Sequence, residues 1–167
     1  MKARPKASNS MVESPATRRQ FWIAFAINTI WINVSEIWRY LVIIKPMLHE
    51  TFPDRADIAP FTLPIFGLWS IWDTWLVFAA TGFFWLYLNW AGSTIRQSLI
   101  AATVFTITVF GLLWFGIANM GLAPMRFFWT ALPLAWVEQA VAALIVMWAM
   151  NRRIGQARPP CVAPKSR

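Results

Sequence analysis

The chain predicts an all-α integral membrane protein, a bundle of four transmembrane helices with both termini cytoplasmic. Three observations predict it. First, 58% of the 167 residues are hydrophobic and only 13% are charged, against about a quarter charged in a soluble domain; the mean hydropathy is +0.50. Second, four apolar runs cover residues 21–44, 65–88, 98–117 and 127–150. Each reaches the ~20 residues that a helix needs to cross the hydrocarbon core. Third, the basic residues are distributed unevenly between the two sides that these runs define.

An even number of spans puts both tails on one side. That side collects Lys2, Arg4, Lys6, Arg18 and Arg19 before the first run, Arg96 between the second and third, and Arg152, Arg153, Arg158, Lys165 and Arg167 after the last. The other side holds Lys45, Arg55 and Arg126. Lys and Arg are enriched on the cytoplasmic flanks of spans, so the tails are expected inside, as in a bacterial inner-membrane protein. The net charge of +8 is then a topology signal. It favours anionic membrane lipids as neighbours and gives no support to a nucleic-acid partner.

Taken in order, residues 1–20 carry Pro5, Pro15 and several serines without apolar periodicity and are expected to form a flexible basic tail. Arg18 and Arg19 resemble a twin-arginine export signal, but the apolar run after them is too long for an export segment and no small-residue cleavage site follows. The loop 45–64 holds Pro46, Pro53, Pro60 and Pro64, which predict an irregular extracytoplasmic cap. The connection 89–97 and the turn 118–126, with Gly121 and Pro124, are short enough to make the spans they join antiparallel neighbours. Trp22, Trp90, Trp129 and Trp148 fall near span ends, where an interfacial aromatic belt places them. The tail 151–167 contains Cys161, the one cysteine, so neither an intrachain disulfide nor a CxxC redox pair exists.

The four spans form one domain, residues 21–150, and it carries ionisable groups. The first span contains "WINVSEIWRYL", Trp31 to Leu41. At 100° per residue, Thr29, Asn33, Glu36 and Tyr40 share a face with Arg39 beside it, and Ile23, Ile27, Ile30, Val34, Trp38 and Leu41 form the opposite, lipid-directed face. Glu36 and Arg39, three residues apart, are placed to pair within the helix. Asp73 lies in the second span and Glu138 in the fourth, next to Gln139. Ala131, Ala135 and Ala142 share the Glu138 face, and small residues let helices approach closely. At ~1.5 Å per residue the three carboxyls fall in a similar layer on three helices. An ionisable side chain inside a membrane is costly and is a functional candidate by default.

Glu36, Asp73 and Glu138 are therefore the candidate proton or ion site, with Asn33, Arg39, Tyr40 and Gln139 as supporting polar groups. Arg39 neutralises one carboxylate, which leaves two to be protonated, to share a cation or to face water. Three classes of function fit. One is a small proton- or cation-coupled transporter or channel, which at this length calls for a homo-oligomer. The second is a non-catalytic membrane subunit or assembly factor, bound to a membrane protein partner, whose polar residues hold the bundle together. The third is a membrane enzyme that uses the carboxylates with His49, the one histidine, at a metal. No organic cofactor is expected: the chain has no Gly-rich phosphate loop after a strand, no HExxH and no GxSxG.

Overall fold

The computed structural model describes residues 15–54 and 62–152. Arg55, Asp57, Cys161 and most of both tails lie outside the described residues. Within them the chain is helical, without a strand. Helix α1 (Pro15–Arg39) continues through a π-helical turn (Tyr40–Ile44) into α2 (Lys45–Thr51). Helix α3 (Leu63–Ala91) follows. Helix α4 (Ile95–Phe105) runs through a second π turn (Thr106–Gly111) into α5 (Leu112–Asn119), and α6 (Met125–Asn151) completes the fold.

Three helical stretches are long and apolar enough to cross a membrane: Leu63–Ala91, Ile95–Asn119 and Met125–Asn151. The 25 residues of α1 are also long enough, but Asn28, Asn33, Glu36 and Arg39 lower its hydropathy. Two boundaries differ from expectation. Helix α1 begins at Pro15, inside the stretch expected to be a tail. The prolines predict irregular backbone from Lys45 onwards, yet the helix runs on to Thr51. The π turn explains the second difference. The Lys45 N–H donates to the Tyr40 carbonyl five residues back, and Pro46 follows at once with no N–H to offer. A widened turn moves the backbone away from the carbonyl that a proline ring would otherwise strike.

The short turns have local causes. Thr94 caps α4, its hydroxyl accepting from the Gln97 N–H at 3.3 Å, as a residue of this type does at a helix start. Gly121 ends α5 with φ +69°. Its N–H donates to Ala118 O and the Leu122 N–H donates to Ile117 O, the paired bonds of a Schellman motif that needs a left-handed residue at this position.

Helix α6 is the hub, packed against α1, α3 and α4. Its contact face is mostly alanine: Ala131, Ala135, Ala142, Ala143 and Ala149 are all buried. Lipid is as apolar as leucine, so helices in a bilayer gain by close van der Waals fit and by polar contacts between helices. Ala24, Ala80, Ala101 and Ala102 offer matching small surfaces on the neighbouring helices, and Val77, Phe84 and Val146 fill the space between. On the face of α1 opposite its polar stripe, Ile30, Val34 and Trp38 are exposed, as is Leu41 in the π turn that follows.

One polar contact ties three helices at the core. Asn28 Nδ2 on α1 donates to Thr81 Oγ1 on α3 at 3.0 Å and to the Ala142 carbonyl on α6 at 3.4 Å. A double-mutant cycle of Asn28→Ala with Thr81→Val, read as detergent melting, is expected to return a coupling of about 0.6 kcal/mol, the average for such bonds between membrane helices. Zero coupling would remove this contact from the packing account.

Candidate functional site

The site is organised by Arg39, at the last α-helical position before the first π turn. Its Nη2 donates to Glu36 on the same helix, the intrahelical pair that their spacing predicts. Its Nη1 donates to Glu138 Oε2 on α6 at 3.2 Å. The guanidinium therefore bridges two carboxylates on two helices, where the sequence suggested a single pair. It also lies over the Phe110 ring, 6.0 Å from its centroid. Phe110 belongs to the second π turn, so both π turns adjoin the ionic site.

Glu138 is 1% exposed and well supplied with donors. Ser35 Oγ donates to its Oε2 at 2.8 Å and Gln139 Nε2 to its Oε1 at 3.1 Å. Trp31 Nε1 holds its backbone carbonyl at 3.0 Å. Glu138 is the middle residue of the 27-residue α6, so about 20 Å of helix lies on either side of it. A carboxylate this deep is stable only with such donors around it.

Asp73, 4% exposed on α3, lies near Glu36. The order in space is thus Asp73, Glu36, Arg39, Glu138, across three helices. Asn28 Oδ1, Thr106 Oγ1 and Gln139 Oε1 are among the buried oxygens without a hydrogen-bond partner.

The other sequence candidates fall into place unequally. Gln139 joins the site. Asn33 does not: its Nδ2 donates to the Thr29 carbonyl of its own helix at 2.8 Å. Tyr40 packs edge-on against Trp69, with ring centroids 4.6 Å apart. His49 is exposed on α2, and among the described residues no three His, Cys, Asp or Glu side chains come together as metal ligands would. A His49 metal site thus finds no support. Trp31, Ser35 and Asn28 were not singled out from the sequence. Helical spacing signals them, since Asn28, Trp31, Ser35 and Arg39 recur at three and four residues. The inward face is centred one residue earlier than the Thr29–Asn33–Glu36–Tyr40 stripe. No family model matches the chain, and no curated protein or solved structure shows significant similarity to it.

Proposed function

We propose that the chain is a four-span membrane protein, with both termini cytoplasmic, whose buried Asp73–Glu36–Arg39–Glu138 cluster takes up and releases protons in transport. One observation carries the reading. Glu36 and Glu138 both bind Arg39 and Asp73 lies buried near Glu36, so three carboxyls with one guanidinium need two more positive charges for neutrality. Protons fit better than a metal ion, because the described side chains offer no convergent set of three ligands. The test is proton flux in liposomes that contain the purified protein, compared with variants that cannot titrate.

A second reading, a membrane subunit that docks on a partner, is favoured by the ties between α1 and α6. Ser35, Arg39 and Trp31 all bind Glu138, as a scaffold lock would. Under either reading the basic flanks favour an inner membrane with the tails inside. Cys161, the one cysteine, checks this. A membrane-impermeant thiol reagent is expected to label it only after the membrane is opened, and labelling in intact cells would reverse the topology.

A further inference from the structure

A pocket of about 440 Å³ opens between α1 and α6, within the range of small-molecule sites. Its walls include Trp31, Val34, Trp38 and Val137. Val34, Trp38 and Val137 are more than half exposed on the outer surface of the bundle, so the pocket opens sideways. In a bilayer its entrance faces lipid tails.

Ser35, Arg39 and Glu138 are the polar residues in an otherwise apolar lining. The chemistry of these three residues selects a ligand. Glu138 already accepts from Ser35, Arg39 and Gln139, so it has little capacity for a further donor. Arg39 has five N–H donors, and its bonds to Glu36 and Glu138 use two of them. The Ser35 hydroxyl gives its hydrogen to Glu138. What the three residues still offer is donors, which call for an acceptor. A second anion there would add to an existing excess of carboxyls over guanidinium. An ammonium head would lie against Arg39.

Depth narrows the choice further. Glu138 is the midpoint of α6, about 20 Å from either end, beyond the reach of a phospholipid head anchored at the interface. Trp31 and Trp38, seven residues apart on one face of α1, offer flat aromatic walls. We infer that this pocket binds an uncharged, membrane-dissolved molecule with a carbonyl oxygen on an apolar body, the oxygen accepting from Arg39 and the body lying between Trp31 and Trp38. Quinone-like rings and acyl esters share this chemistry. The inference does not depend on proton movement through the cluster.

Photoaffinity labelling of the full chain in bilayer nanodiscs tests it. The probe is an alkylated benzoquinone with a diazirine on its tail, and labelled positions are read by peptide mapping. Labelling is expected on the Trp31–Trp38 and Leu134–Glu138 segments. It should be competed by unlabelled alkylbenzoquinone and not by the matching alkylbenzene, which lacks the oxygen. Competition by a fatty-acid methyl ester as strong as that by the quinone keeps the carbonyl chemistry and assigns the source to acyl lipid. Val137→Trp, a change on the exposed wall of the pocket, is expected to fold and to abolish labelling. Equal competition by the alkylbenzene, or undiminished labelling in Val137→Trp, overturns the inference, as does labelling spread evenly over the lipid-facing surface.

Discussion

Arg39→Leu is expected to cost about 3–5 kcal/mol of stability, the usual result of removing one partner from a buried ion pair. The loss arises because Glu36 and Glu138 both depend on this guanidinium, and each is left in a low-dielectric interior without a counter-charge. The result should be seen as a lower melting temperature in detergent and a smaller folded yield. The geometry also specifies the rescue. Adding Glu36→Gln alone leaves Glu138 uncompensated and should recover little. Adding both Glu36→Gln and Glu138→Gln removes the two carboxylates that Arg39 binds and should recover most of the loss, since replacing a buried ion pair by neutral side chains is often close to neutral. If the single and triple variants are equally damaged, the ionic bridge does not support the fold.

Asp73→Asn and Glu138→Gln are expected to do the opposite: to fold, and to lose activity. An amide at position 73 keeps the shape of the carboxyl and, like a protonated acid, both donates and accepts. At position 138 the new amide oxygen still accepts from Ser35 and Arg39. Its NH2 group then meets Gln139, whose Nε2 now donates to Glu138 Oε1 and whose own Oε1 is buried without a donor. A flip of the Gln139 amide brings that oxygen round to accept. The cost should stay near 1 kcal/mol, the scale of one hydrogen bond. Neither amide can exchange a proton, so any proton flux should fall to background in both variants. Loss of melting together with flux would place these acids in the scaffold.

How much of this was legible in the sequence depended on which physical signal each residue carries. Apolar run length located the helices of residues 65–150, because a span must be long and apolar whatever its partners. The exposed face of α1 was equally plain from Ile30, Val34 and Trp38. The Glu36–Arg39 pair followed from helical spacing, since it is local. The second arm of Arg39, to Glu138 on α6, depends on how two distant helices rotate against each other, and spacing within one helix cannot supply that. The polar face was misplaced by one residue because Thr29 and Asn33 look inward by composition. In fact they return their hydrogen bonds to their own backbone, at Phe25 and Thr29. The helix through Pro46 was hidden because a π turn leaves no composition signal.

Proton exchange across the membrane through the cluster can be read as a change of pH inside liposomes. The purified protein is reconstituted in liposomes that enclose a pH-sensitive dye, and the outside pH is stepped. A protein-dependent change of internal pH is expected that is absent from empty liposomes and from liposomes carrying Glu138→Gln or Asp73→Asn at equal folded content. An internal pH that follows the step no faster with the parent protein than without it, or just as fast with the amide variants, would contradict the account.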